Sequence, residues 1–281
     1  MNDAAVPAAD RPVCPRCGTF ALLRPRLGQP LCGDCIERLT HDIERRPFTV
    51  GSTLVGAWQL VRLVGDRALP IALAIHLPRI VSSMLVELPL RARGLFWILE
   101  LVATAAIVRM ALEALRGSGR EPITRSIGAA VVVWGGRLVG ASFVSALVSG
   151  FYLLLLVVPG VLKALSFALV PVCVVEERKT SANALERSTE LMRGHRSIMF
   201  AVWVVLAVPL YATYGLCWAL EAAIAANPSS GAVAALYAGR IVSDGMFVFF
   251  AVLDTLVLVV VYVKLVRIEE TRASTAAHSS R

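Results

Sequence analysis

The sequence predicts an all-α polytopic membrane protein of about six transmembrane helices with a small N-terminal zinc-ribbon module. Three observations predict it. Hydrophobic residues make up 57% of the 281 positions and charged residues only 17%, whereas a soluble domain carries about 25% charged residues; mean hydropathy is +0.70. From Ala68 onward, long apolar runs alternate with short charged breaks, and a helix needs roughly 20 apolar residues to cross a bilayer. Two Cys-x-x-Cys pairs stand near the start, outside every apolar run. The expected divisions are 1–11 disordered, 12–46 zinc ribbon, 47–67 juxtamembrane amphipathic linker, 68–267 six-helix membrane domain and 268–281 disordered tail.

The opening residues to Arg11 are alanine-rich and lack the apolar core of a signal peptide. The ribbon follows, with Cys14, Cys17, Cys32 and Cys35 at the spacing x2-x14-x2. Two such pairs at this separation match a tetrahedral four-cysteine zinc site, which is closed and therefore structural. A module of this size holds no adequate core without metal. Four thiolates with Zn2+ carry about −2, and Arg16, Arg24, Arg26 and Arg38 are near enough in sequence to offset it. Thr19–Arg24 and Gln29–Leu31 read as strands, and Ile36–Arg46 as a short helix. Two disulfides are the competing reading; a reducing cytosolic location argues against them. A thioredoxin-like redox role lacks its βαβ context. Cys173 and Cys217 lie in apolar runs and read as small buried hydrophobes.

In the linker, Thr49 or Ser52 can start a helix with Leu54, Trp58 and Val61 on one face and Gln59, Arg62 and Asp66 on the other. That reads as an interfacial helix anchored by tryptophan. The six spans are 68–90, 94–115, 129–158, 160–175, 198–220 and 241–266. Pro78 and Pro209 should kink their helices. The third span exceeds one straight crossing, so its start should lie at the surface. Gly136, Gly140, Ser142, Ala146 and Gly150 give it small residues at mostly four-residue spacing, suited to close helix packing within the chain or in a homo-oligomer.

The stretch from Leu156 to Arg196 is the most informative. Pro159-Gly160 suits a tight turn between the third and fourth spans. The fourth span is short and should be tilted or partly covered. After Glu176-Glu177, Thr180 or Ser181 can cap a helix. One face of that helix carries Ala184, Leu185, Ser188, Leu191 and Met192; the other carries Glu186, Arg187, Glu190 and Arg193, with Gly194 as the stop. The pattern of Pro159, Gly160, Pro171, Val174, Glu176, Glu177, Ala184, Leu185, Arg187, Ser188, Leu191 and Gly194 resembles a bacterial family of six-helix membrane proteins. That family includes YciC-type inner-membrane proteins and the membrane domain attached to some glycerophosphodiester phosphodiesterases. The resemblance covers about residues 50–267 and implies a six-helix fold in the inner membrane. The sequence contains no recognisable phosphodiesterase catalytic domain, so the resemblance implies no enzymatic activity.

Charge distribution orients the chain. Residues 1–67 hold nine arginines and seven acids, a net of +2 out of +8 overall. The rest is spread over loops and tail, which argues for orientation signals and against nucleic acid as a partner. Arg116, Arg120 and Arg125 follow span two; Arg178, Lys179, Arg187, Arg193 and Arg196 follow span four; Arg267, Arg272 and Arg281 follow span six. The opposite loops carry Arg91, Arg93, Lys163 and Arg240. The positive-inside rule then places both termini in the cytosol.

Ionisable residues at membrane depth are costly and mark polar sites. The candidate intramembrane polar site is Arg79, Arg109, Arg137 and Asp254, with His76 also in an apolar run. Arg109 and Glu113 stand at i, i+4 and can pair on their own helix. Asp254 lacks a local partner and should face an arginine, Arg79 first, or a polar cavity. No His-x-x-x-His motif, P-loop or nucleophile elbow is present. The leading reading is a noncatalytic scaffold or regulator whose cytosolic ribbon binds a protein partner. The alternative is a transporter or lipid-handling protein using a polar site around Asp254. A membrane enzyme acting on lipid phosphates ranks last.

Overall fold

The last helix organises the bundle. It runs Ser230–Ser279, and its most apolar stretch is largely buried. The computed structural model describes residues 33–85, 90–116, 127–128, 130–226 and 230–279. All regular elements among them are helical. In chain order they are α1 (Gly33–Arg45), α2 (Val50–Leu85), α3 (Leu90–Leu115), a π-helical turn (Ala130–Trp134), α4 (Gly135–Leu155), α5 (Val157–Ser166), α6 (Val170–Glu176), α7 (Ser181–Leu191), α8 (Arg196–Ala226) and the final helix, α9. Helix α9 touches α1, α2, α3, α6, α7 and α8. Its run Leu256 to Val261 is buried because neighbours surround it on every side, and no polar residue interrupts it.

Four described helical segments are long and apolar enough to cross a membrane: Val131–Leu155, Val157–Glu176, Arg196–Ile224 and Ala238–His278. The molecule is therefore built as an all-α membrane protein. Helices α2 and α3 occupy the places expected of the first two spans and exceed the length required for a crossing. Most residues of the apolar stretches of α4 and α8 are not buried, so these two helices form the outer wall.

The linker and the first expected span form one continuous helix. Thr49 and Ser52 cap it reciprocally: the Ser52 N–H donates to Thr49 Oγ1 at 3.3 Å, and the Thr49 N–H donates to Ser52 Oγ at 3.2 Å. This is a capping-box geometry with serine at the third position. The buried seam is Ala57, Leu60, Val64, Ala68 and Ile71, at spacings of three and four. The expected interfacial face is only partly correct, since Val61 is buried but Trp58 points outward under the Arg62 guanidinium. The backbone approaches α9 closely at Gly56. A methyl group at Gly56 would stand 3.1 Å from Val260 Cγ1.

The turn between the third and fourth expected spans is not at Pro159-Gly160. The chain breaks at Leu156, whose backbone is extended, and α5 begins at Val157. Proline fits the first helical turn, where its missing N–H has no intrahelical partner to lose. Gly160 instead permits contact between the two arms: a Cβ there would lie 2.7 Å from the backbone N and Cα of Leu153. The fourth expected span is two short helices joined through Phe167–Leu169. The third begins as the π-helical turn before becoming α4. Of its small residues, Gly140 approaches the Ser181 hydroxyl, whereas Gly136 and Gly150 face open space.

Helix α7 buries Ala184, Ser188, Leu191 and Met192, as its spacing predicts, and ends at Gly194 with φ +84°. The C-terminal residues 268–279 continue α9 as a largely exposed helix, where a disordered tail was expected. Helix-local hydroxyl bonds from Thr271 and Thr275 and the Arg267–Glu270 pair run along it. Helix α1 matches the short helix expected after the ribbon. Residues 1–32 and the side chain of Cys35 lie outside the described residues, so the expected cysteine site and its strands do as well.

Candidate functional site

Polar side chains gather at one end of the bundle and beside α8. The end is defined by contacts between elements far apart in sequence. Thr40 Oγ1 on α1 donates to the Leu115 carbonyl at the end of α3 at 2.9 Å. Arg116 pairs with Glu176 at the end of α6. Arg137 Nη1 at the start of α4 donates to the Arg178 carbonyl at 2.9 Å, and the Ser181 hydroxyl returns a bond to the Arg137 carbonyl at 2.9 Å. The end of α3, the starts of α2 and α4, the end of α6, helix α7 and the outer part of α9 thus share one end. The described chain enters at that end through α1 and leaves at it through α9.

Glu177 is the hub. It accepts from Arg187 Nε at 3.2 Å, Lys179 Nζ at 3.1 Å and the Tyr262 hydroxyl at 3.0 Å. Burial raises its carboxyl pKa, but these three donors outweigh burial and hold it below the ordinary glutamate value. Arg187 also grips Glu269 with both terminal nitrogens, at 2.8 and 2.5 Å. That fork, followed by Glu177, raises its pKa against the opposing effect of burial. A planar guanidinium suits two-point carboxylate recognition. Arg187 therefore ties α7 to α9 and to the end of α6. The sequence assigned Arg187 to an outer face; it is instead a half-buried clamp.

Lys264 is the second feature missed by the sequence reading. It is only 2% exposed. Its Nζ donates to Ser52 Oγ at 2.8 Å and to the Arg46 and Pro47 carbonyls at 3.3 and 3.4 Å. These carbonyls lie just past α1, where backbone acceptors lack intrahelical partners. A single lysine on α9 thus fastens α1 to the core, together with the buried Leu39 and Ile43. The signal was present in the sequence: a lone lysine stands inside the apolar run Thr255–Val266.

The four expected intramembrane residues do not form one cluster among the described side chains. Arg109 pairs with Glu113 at 2.6 Å on its own helix and lies over the Trp134 ring at 5.3 Å. Arg137 belongs to the bundle end described above. The side chain of Arg79 lies outside the described residues. Asp254 lines a cavity of about 370 Å³ between α8 and α9, with Trp203, Leu206, Leu210, Tyr211 and Phe250 among its walls. Its polar neighbour is the Trp203 indole, although the buried Nε1 forms no hydrogen bond of good geometry. Elsewhere, His76 Nδ1 faces Glu100 Oε1 at 3.6 Å and packs edge-on against Phe247. Among the described residues, no three metal-binding side chains converge.

Comparison of the chain with family models, curated proteins and solved structures gives no match.

Proposed function

We propose that the protein is a noncatalytic scaffold or regulator of the bacterial inner membrane. Both termini lie in the cytosol, and a structural zinc ribbon on Cys14, Cys17, Cys32 and Cys35 presents a binding surface to a protein partner. The observation that carries this reading is the seating of α1. The helix that leaves the second cysteine pair is locked onto the bundle by Lys264, Thr40, Leu39 and Ile43. A partner held by the ribbon would be held rigidly against the membrane domain. The core beneath is filled with apolar side chains from α2, α3, α6 and α9, which suits a platform better than a conduit. Photocrosslinkers at the exposed positions Glu37 and His41 test the reading in cells. A discrete protein adduct that disappears in Cys14→Ser, with the variant still inserted and at normal abundance, is expected. The same adduct in wild type and variant, or none in either, overturns it.

A second reading rests on the cavity beside Asp254. A carboxylate at that depth costs a few kcal/mol on insertion scales of about 2.5–3.5 kcal/mol. An opening between two outer helices could receive part of a lipid or a small solute. Purified protein in proteoliposomes should then move lipid or solute across the bilayer, with the rate lost in Asp254→Asn and the fold intact. No flux above protein-free vesicles, or the same rate in the variant, removes this reading.

A further inference from the structure

A second cavity, of about 770 Å³, opens at the polar end of the bundle, between the end of α1, the Pro47–Phe48 connection that follows it and the outer part of α9. Ligand pockets span roughly 300–1,000 Å³. Its lining includes five cations, Arg45, Arg46, Lys264, Arg267 and Arg272, against one acid, Glu44. Part of that charge is matched, since Arg46 pairs with Asp42 at 3.3 Å and Arg267 with Glu270 at 3.3 Å. The rest is not. Lys264 directs its ammonium to neutral oxygens only, and among the described residues no carboxylate pairs with it, with Arg45 or with Arg272. A cation this deeply buried, sharing one cavity with two guanidinium groups that no described carboxylate pairs, leaves a positive field focused on a concave space.

We infer that this cavity binds a phosphate group, carried by the headgroup of an anionic lipid. Guanidinium forks match phosphate oxygens. The cavity lies where α9 passes from its buried apolar stretch into the exposed helix, which is headgroup depth for a bundle crossing a bilayer. Basic pockets between helices at that depth take anionic headgroups. The inference is independent of the zinc site and of any protein partner.

The test uses the full chain, purified in mild detergent, stripped of lipid and titrated with phosphatidylglycerol or phosphatidylcholine under native mass spectrometry. Wild type should retain phosphatidylglycerol in preference to phosphatidylcholine. Arg45→Gln with Arg272→Gln should weaken that binding roughly 30-fold, about 5-fold per arginine. Arg193→Gln, an exposed arginine away from the cavity, should leave it unchanged. If the double variant does not fold, Arg272→Gln alone should show the 5-fold loss. Inorganic phosphate is added in a parallel arm. Displacement of the lipid by phosphate at similar concentrations upholds the phosphate site and reassigns its source to soluble phosphate. Equal binding of both lipids with no phosphate binding overturns the inference, as does an equal loss in Arg193→Gln.

Discussion

Arg187 joins three elements through two carboxylates, and its removal would strand Glu177 and Glu269 together. Hydrogen bonds to charged groups contribute about 1.5–3 kcal/mol each, and the side chain is 16% exposed, so solvent screens this clamp only partly. Arg187→Ala should lower stability by about 2 kcal/mol, read as a lower melting temperature in detergent. Arg187→Lys should recover only part of this, because an ammonium cannot make the fork. The pH dependence has a definite sign. The folded pKa of Glu177 lies below its unfolded value, so its contribution is present above the ordinary glutamate value, about 4.3, and is lost as pH falls through the folded value. Wild type should lose stability on acidification through that window, and Arg187→Ala should lose less. His195 acts in the same direction at higher pH. Burial, then Arg272, depresses its pKa, so the neutral imidazole against Phe48 is favoured. Its contribution is full above about pH 6.5 and declines as the pH drops below that value. A parallel acid limb in wild type and Arg187→Ala would contradict the hub role of Glu177.

At the scale of elements, the break between α5 and α6 is held by a residue from α7. The Ser188 hydroxyl donates to the Ser166 carbonyl at 2.8 Å and accepts from the Leu169 N–H at 3.2 Å. Buried backbone groups freed by a helix break need such partners. Ser188→Ala should cost about 1–3 kcal/mol, and Gly160→Ala a similar amount through its clash with the Leu153 backbone. Both variants should melt earlier than wild type, while Gly150→Ala, which faces open space, should not. Equal melting of all three would contradict these contacts. Helix α7 was legible in the sequence because its apolar spacing and Gly194 are local signals. The role of Ser188 was not, because both its partners lie outside its own helix. The break at Leu156 was misplaced for a related reason. Proline and glycine mark turns, but both also suit the first turn of a closely packed helix. Arg109–Glu113 was legible since both residues share one helix, whereas the Lys264–Ser52 bond and the Arg187–Glu269 fork act across more than 80 positions.

For the whole molecule, the contacts that gather α1 and the outer part of α9 at one end imply an even number of crossings between them. Reporters fused to either end of the chain should therefore read the same compartment, expected to be the cytosol. Opposite compartments would remove one crossing from the bundle. Alternation of apolar runs exposed the all-α membrane class in the sequence, but the depth of each helix depends on packing that no single run encodes. If the ribbon is as proposed, the seat of α1 gives it a fixed place on the membrane domain, and its integrity depends on its metal. The most direct measurement is the metal content of the full chain purified in detergent without added zinc, with thiol titration on the same sample. About one zinc per chain is expected for four converging thiolates, falling to near zero in Cys14→Ser. Metal-free protein in which Cys14, Cys17, Cys32 and Cys35 are joined as two disulfides would contradict it.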